Sequence, residues 1–417
     1  TLSLHDALPI LIHTAPVSRL VLLLLLGLTG LGAAAADSLA RWPEVPAPPS
    51  VEARSVTVVD LARGEMLYSL DPDEPIPPAS LAKLMTIRLA LEAVKNRSIS
   101  LDEIVDIQHE EVNLPDGSSL MYLQAGMKVP FDDLIRGMAV ISGNDAALAV
   151  ARVLGGSTEG FAEMMNAEAR RMGMPTTRFV EPSGLSERNM TTAAEMAAFA
   201  RRYLLDYPNA IADYHARTFM EFPRAEVMPE GVPAPDMKIL LRNRNHLLFS
   251  YDDCDGLKTG FIRQSGFNQV ATAERDGSRF IVVTMGGTSI AGRIKAGTQL
   301  LDWAFANWRT VNPALPALPA VRAWGGALPV VDLVPEETGP FTVPRQYADK
   351  VSLRVEAEAE TMAPIRAGQM LGSLVYLSGD RVLRRVNLLA ANDVPQGHFF
   401  IRLRDALTRF FRDLFSR

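Results

Sequence analysis

Pro77-Pro78-Ala79-Ser80-Leu81-Ala82-Lys83-Leu84-Met85-Thr86 is the stretch from which the rest of the chain can be read. The paired prolines interrupt whatever precedes them, and from Leu81 to Val94 apolar residues fall on nearly all sides of a helix. A helix without a polar face belongs inside a protein. Ser80 then lies in its first turn, and Lys83 sits on the same face one turn on. A serine hydroxyl is a poor nucleophile until a base takes its proton, and a lysine does this only when neutral. From an ordinary pKa of about 10.4, neutrality near pH 7 requires a drop of roughly 3, or about 4 to 5 kcal/mol. Burial supplies shifts of that size, and a second nearby cation helps. The plainer reading is an N-cap serine followed by a lysine that snorkels to solvent. S-x-x-K by itself arises roughly once or twice by chance in a chain this long.

Outward from this helix, Ser55 to Leu61 reads as a strand, Ala62-Arg63-Gly64 as a turn and Met66 to Ser69 as the returning strand of a hairpin. Ala79 to about Arg171 is mostly helical, broken by the polar loop Asn113 to Ser119. Strands follow at Phe267 to Ala273 and Phe280 to Met285, with Arg275-Asp276-Gly277 turning between them, then a helix from about Arg293 to Trp308. Strands flanking a helical middle predict an α+β domain: an antiparallel sheet assembled from both ends, with a helical lobe inserted. Trp42 to Pro49 is a Pro-rich spacer, and Asn312 to Pro319, with Pro313, Pro316 and Pro319, marks a stiff domain boundary. Beyond it, Val351, Leu353 and Val355 alternate with polar residues, and Met370 to Leu377 and Val382 to Leu389 are further short strands, so this part reads as a small all-β domain. The expected division is 1–36, 37–311, 312–395 and 396–417.

Both ends carry address labels. Arg19 precedes the apolar run Leu20 to Leu31, followed by Ala33 to Ala36 and Asp37. The run is shorter than the roughly 20 residues a spanning helix needs, and its small-residue exit is that of a signal peptide cleaved near Ala36; the alternative is a permanent N-terminal anchor. Thr1 to Ile10 has no signal-peptide logic and is read as upstream sequence. At the other end Phe399, Phe400, Leu403, Leu407, Phe410, Phe411 and Leu414 recur at helical spacing among Arg402, Arg404, Arg409, Arg412 and Arg417. Such a basic amphipathic helix, Phe399 to Arg417, fits an anionic membrane surface; packing on its own protein is the alternative. Export to the periplasm, with this helix as a peripheral anchor on the inner membrane, is the expected location.

The chain's 417 residues, 48% hydrophobic and 22% charged, fit two or three folded units and exclude general disorder. A net charge of −6 leaves no footprint for nucleic acid, and none is expected as a partner. The single cysteine, Cys254, excludes an intramolecular disulfide and a Cys-based zinc site and reads as a small apolar filler. His109, His215 and His246 are dispersed. Asp252, Asp253 and Asp255 imitate a calcium loop, but Leu257 occupies the next ligand position and no Glu closes it. No metal and no cofactor are expected.

Two further motifs remove the plain reading of Ser80. Ser142-Gly143-Asn144 follows the apolar run Met138 to Ile141, and Lys258-Thr259-Gly260 directly precedes an apparent strand. The ordered set S-x-x-K, S-x-N, K-T-G marks serine acyl-transfer enzymes that react with penicillins. The chain resembles the low-molecular-mass penicillin-binding proteins that are serine-type D-Ala-D-Ala carboxypeptidases. The resemblance extends to Pro182, Gly184-Leu185, Asn243-Arg244-Asn245, Asp255-Gly256 and Met285-Gly286-Gly287, and to the β-domain and amphipathic tail.

The resemblance implies a transpeptidase-like fold and removal of the terminal D-alanine from peptidoglycan stem peptides ending in D-Ala-D-Ala, with β-lactam antibiotics as covalent inhibitors. It makes Ser80 the nucleophile, Lys83 its general base, and Ser142 the relay of a proton to the leaving D-alanine. Asn144 would position the substrate amide. Lys258, on an edge strand, would hold a positive field that keeps Lys83 neutral, and Thr259 and Arg293 would bind the terminal carboxylate. Gly260 completes the strand motif, and the backbone N–H groups of Ser80 and Phe261 would form the oxyanion hole. Phe261 and Ser183 stand where some members carry histidine. Two rival readings are weighed: a secreted class A-like β-lactamase using Glu181 to activate water, against which Glu181-Pro182-Ser183-Gly184-Leu185 is not E-x-x-L-N, and a non-catalytic cell-wall-binding scaffold, against which Ser80 and Lys83 are intact.

Overall fold

A computed structural model describes residues 41–233 and 236–415. The signal-peptide reading lies outside the described residues. The hairpin expected near the start is β1 (Ser55–Asp60) and β2 (Met66–Leu70), antiparallel with Val58 opposite Tyr68. After it come the helices α1 (Lys83–Lys95), α2 (Phe131–Val140), α3 (Asn144–Gly155), α4 (Thr158–Arg171) and α5 (Ala193–Asp206). The chain then returns through β3 (Cys254–Ile262), β4 (Gly266–Arg275), β5 (Ser278–Gly287) and α6 (Ile290–Asn307).

The five strands form one antiparallel sheet in the order β2-β1-β5-β4-β3, so both ends of the domain meet at β1 and β5, and the helical lobe is the insertion between them. Every residue of β1 is buried because both faces of the sheet are covered. Alternation sorts the side chains: Ile281, Val283 and Met285 face the helical lobe. Val56, Val58, Phe280 and Val282 face α6, whose Leu300, Leu301 and Ala304 close that side.

Two expectations are adjusted. The interruption of the helical middle is wider than Asn113 to Ser119, since Ile104–Asp106 pairs with Lys128–Pro130 and no helix is present from Asn113 to Pro130. Lys258-Thr259-Gly260 lies within β3 rather than ahead of a strand. The glycines at 256 and 260 dilute the strand signal there, and ladder pairing with β4 overrides it.

The small β-rich part is a four-stranded sheet, Leu333–Pro335, Arg381–Ala390, Met370–Ser378 and Val351–Ala357 in that order, beside a three-stranded one. It shares its core with the face of the first sheet that carries α6: Trp303 and Trp308 belong to the same buried cluster as Phe341 and Tyr376. The strand Trp308–Val311 pairs with Phe341–Pro344, so a ladder crosses the expected boundary at Asn312, and buried Asp60 of β1 accepts a hydrogen bond from the Thr342 hydroxyl at 2.6 Å.

The terminal helix, Phe399–Phe415, is moored by its polar side. Asp405 is buried and accepts the Gly325 N–H at 2.9 Å, and Arg412 forms two hydrogen bonds to Glu360, at 2.6 and 2.8 Å. Its apolar residues face solvent, with Phe400 80% and Phe415 83% exposed. Among the described residues no helix is long and apolar enough to cross a membrane.

Trp308 is 1% exposed at the junction of the two parts, and its indole N–H has no partner, so it acts by packing alone. Trp308→Ala is expected to lower stability by about 3 to 5 kcal/mol, read as a shift in urea unfolding. A change within about 0.5 kcal/mol, the scale of a surface substitution, would show that the shared core is not structural.

Candidate active site

Ser80 sits in a short 3-10 segment, Ala79–Ala82, that runs into α1, so the helical face expected from sequence places Lys83 below it. Ala79 itself has φ of 50°, a kink that brings Ser80 to the surface of the helical lobe. Lys83 is fully buried, and its amine lies 3.1 Å from Ser80 Oγ, 2.5 Å from Asn144 Oδ1 and 2.5 Å from the Ser183 carbonyl. Two of these contacts can only accept, so a neutral amine donates its two protons to them and turns its lone pair to the Ser80 hydroxyl. Burial pulls the Lys83 pKa down to about 7 against the opposing pull of Glu181 and Asp145.

Ser142 has φ of 65°, and its hydroxyl accepts from the buried Lys258 amine at 2.9 Å. Lys258 also donates to the Thr259 carbonyl at 2.9 Å. Burial drives its pKa well below the usual lysine range, and Lys83, Arg293 and Arg244 add repulsion. β3 is the open edge of the sheet and runs directly against the nucleophile segment. A Cβ on Gly260 would stand 2.8 Å from the Pro78 carbonyl oxygen and 2.9 Å from the Ser80 nitrogen. Only glycine permits that approach.

A cleft of about 250 Å³ is lined by Ser80, Ser142, Thr259, Gly260, Phe261 and Arg293, together with Arg244 and His246. Lys83, Asn144 and Lys258 lie buried behind this wall. The nine residues singled out from sequence therefore form one site in two layers. Arg293 enters from the first turns of α6 and is 6% exposed. Its guanidinium lies 5.8 Å from the Phe267 ring, its Nε has no partner, and burial lowers its pKa to about 10. Phe261 stacks on Phe267 with centroids 4.3 Å apart and forms an apolar lip.

Several positioning roles escaped the sequence reading. Glu181 accepts the Ser183 N–H and hydroxyl on one oxygen, and the N–H groups of Gly184 and Ser186 with the Asn189 amide on the other. Both oxygens are thus spent on shaping the loop that presents the Ser183 carbonyl to Lys83. Asn268 ties β4 to the nucleophile segment, donating to the Pro77 and Pro78 carbonyls at 2.9 and 3.2 Å. His215 lies beneath β3 with its pKa lowered to about 4 by burial; Nδ1–H donates to the Leu257 carbonyl at 3.1 Å, and Nε2 accepts from Tyr203 at 2.8 Å. No motif marks these groups, because Asn268 and His215 act through residues distant in sequence and Glu181 mostly through main-chain N–H groups of its own loop, which carry no residue signature. Cys254 is buried with its thiol pushed up to about 11, and Asp253 and Asp255 are paired with Arg275 and Arg279.

A D-alanyl-D-alanine carboxypeptidase family model, peptidase S11, matches residues 43–289. The chain belongs to this family. A model of the C-terminal domain of penicillin-binding protein 5 matches residues 318–396. The chain is 31% identical to the D-alanyl-D-alanine carboxypeptidase DacC of Escherichia coli over 88% of its own length and 90% of that protein. Penicillin-binding protein 5 from Haemophilus influenzae superposes with a TM-score of 0.73 at 31% identity, covering 84% of this chain and all of that one. Penicillin-binding protein D2 from Listeria monocytogenes, in its cefotaxime-bound form, superposes with a TM-score of 0.54 at 29% identity over 62% of this chain and all of that one. This carboxypeptidase is a serine-type hydrolase with a penicillin-binding fold, as the three motifs imply; the β-lactamase and scaffold readings are set aside.

Gly260→Ala is expected to leave the fold intact by circular dichroism and to slow acylation by a fluorescent penicillin by about tenfold or more, since the new methyl displaces the Ser80 backbone. Unchanged acylation would mean that β3 does not fix the nucleophile.

Proposed function

We propose that Ser80, Lys83 and Ser142 carry the acyl transfer of this carboxypeptidase, and that Thr259, Lys258 and Arg293 hold the terminal carboxylate of the peptide. The observation that carries the assignment is the Lys83 amine, fully buried and 3.1 Å from Ser80 Oγ. The neutral amine takes the Ser80 proton as Oγ attacks the carbonyl of the penultimate D-alanine. The Ser80 and Phe261 N–H groups receive the developing oxyanion. Ser142 passes a proton to the departing amine, and water then hydrolyses the ester.

Asn144, expected to position the substrate amide, also accepts a hydrogen bond from Lys83 on its side-chain oxygen, which supports a further role in holding the base. Lys258 has no carboxylate partner among the described residues and is disfavoured as a cation in the free site. The substrate carboxylate supplies the missing counter-charge, so substrate binding and protonation of Lys258 are coupled. The saturated carboxylate of Glu181 cannot activate a water, which supports slow release of a β-lactam acyl group.

The substrate class is peptidoglycan stem peptides ending in D-Ala-D-Ala, and β-lactams acylate the same serine. The exposed apolar face of Phe399–Phe415, with Arg on its flanks, supports peripheral attachment to an anionic membrane at the periplasmic side of the inner membrane. The division 37–311, 312–395 and 396–417 is retained as a functional one: catalysis, spacing and attachment.

The base must be neutral, so the rate of acylation is expected to rise with pH through about 7, following Lys83. Ser80→Ala should abolish peptide cleavage and penicillin labelling. Lys83→Arg should be nearly as damaging, because a guanidinium keeps its proton near neutral pH. A pH-independent acylation rate from pH 5 to 9, or an active Lys83→Arg enzyme, would remove Lys83 as the base. For attachment, truncation after Asp393 should release an active enzyme from anionic vesicles in a sedimentation assay; continued sedimentation would place the anchor elsewhere.

A further inference from the structure

A polar cavity also lies away from the active site, where the catalytic domain meets the β-rich part. It holds about 130 Å³ and is lined by Arg41, Trp42, Glu65, Phe341, Leu383 and Arg384 among others. Three separate stretches build it: the residues that lead into the domain, the turn that joins β1 to β2, and the strands Phe341–Pro344 and Arg381–Ala390. It shares no residue with the Ser80 cleft. Its volume is well below the roughly 300 Å³ at which drug-sized sites begin, so it suits a solute of a few heavy atoms.

The charges in its wall are not matched to one another. Arg63 is spent, since its guanidinium donates to the Thr338 carbonyl at 2.8 Å and the Pro340 carbonyl at 3.0 Å and pairs with Glu337. Glu337 also takes Arg384, so one carboxylate serves two guanidiniums. Burial lowers the Arg384 pKa to about 10, and Arg63 and Arg41 add repulsion. Arg41 gives one N–H to the Leu383 carbonyl and has no ion pair among the described residues. Buried Asp60 is already occupied by the N–H groups of Arg63 and Glu65 and by the Thr342 hydroxyl. Glu65 is half-buried, and its carboxylate has no hydrogen bond or ion pair among the described residues. Burial and Asp60 push its pKa up, and the fields of Arg41 and Arg384 oppose this without contact. Unlike charges that share a poorly solvated wall without meeting leave a gap for a molecule that carries both. The indole N–H of Trp42, buried and without a partner, is a further donor in need of an oxygen.

We propose that this junction cavity binds a small zwitterionic amino acid, such as the D-alanine that the carboxypeptidase reaction releases. The carboxylate of the amino acid takes the remaining N–H groups of Arg41 and Arg384 and the indole N–H of Trp42. Its ammonium pairs with Glu65. Phe341 and Leu383 supply an apolar wall for a short side chain, and the volume excludes a long one. The bound molecule ties the turn between β1 and β2 to the β-rich part, so it stabilises the folded chain by mass action. No bond is made or broken, and the inference does not depend on which residues carry the acyl transfer.

The test measures binding of isotope-labelled D-alanine to the full chain by equilibrium dialysis, and the midpoint of thermal unfolding as D-alanine is added. Comparisons are made in the wild type and in Arg293→Ala, which lacks the active-site arginine proposed to hold a carboxylate. Glu65→Gln and Arg384→Gln are each added to both chains; the first keeps the shape of the side chain and breaks no contact, so it should fold and label with penicillin as the wild type does. Propionate and ethylamine, which carry one charge each on a similar frame, are the control solutes. Arg293→Ala should still bind D-alanine and gain in unfolding midpoint, and each added substitution should weaken that binding by about tenfold or more. Propionate and ethylamine should bind at least about tenfold more weakly than D-alanine. Absence of D-alanine binding in Arg293→Ala overturns the proposal. So does binding that survives addition of Glu65→Gln, or propionate that binds as tightly as D-alanine.

Discussion

A lysine amine held in a dry site is the constraint around which this molecule is arranged. An unpaired buried ammonium is costly, so Lys83 is kept with acceptors for its protons and without a direct carboxylate partner. Asn144 comes from the first turn of α3, the Ser183 carbonyl from a loop closed by Glu181, and Ser80 from the segment that opens α1. Three separate stretches of chain converge on one nitrogen. The nearby acids Glu181 and Asp145 act at a distance, and each is occupied by other donors: Glu181 by its own loop, Asp145 by backbone N–H groups of the 119–123 loop. That leaves burial as the dominant influence on the base.

Rigidity around this nitrogen comes from backbone contact rather than from long side chains. β3 touches the nucleophile segment at Gly260. The 181–186 loop touches it at Gly184, where φ is 85° and an added Cβ would stand 1.9 Å from the Ala79 carbonyl. Asn268 and Thr86 complete the frame by hydrogen bonds to the prolyl carbonyls at 77, 78 and 182. The sheet behind it is fixed by cores on both faces, so displacement of β3 would require both to repack.

Charge is distributed against the overall balance. A chain of net charge −6 gathers Lys258, Arg293, Arg244 and Arg242 along one cleft and places four described arginines on the terminal helix. Both regions carry the charge that suits the proposed anionic partners, the carboxylates of a peptide and the surface of a membrane. The buried Arg88, paired with Glu168 and Asp206, does neither and serves to pin α1 against α4 and α5.

The sequence by itself determined the reaction class, the α+β layout, the β-rich second part and the amphipathic tail. These depend on local signals: helical and alternating periodicity, proline breaks, and three short motifs whose residue types are imposed by the chemistry. It also named Ser80, Lys83, Ser142, Asn144, Lys258, Thr259, Gly260, Phe261 and Arg293, which fold into one site. Tertiary structure alone decided the rest. Strand β3 is invisible to periodicity because Gly256 and Gly260 interrupt it, the latter for close approach to Ser80, and its ladder partner β4 fixes it. The work of Glu181, Ser183, Asn268 and His215 depends on partners remote in sequence or on main-chain groups, which carry no residue signature. The positive φ of Tyr122 likewise goes with a tertiary contact: Asp145 binds the N–H groups on both sides of that residue where α3 packs against the 119–123 loop.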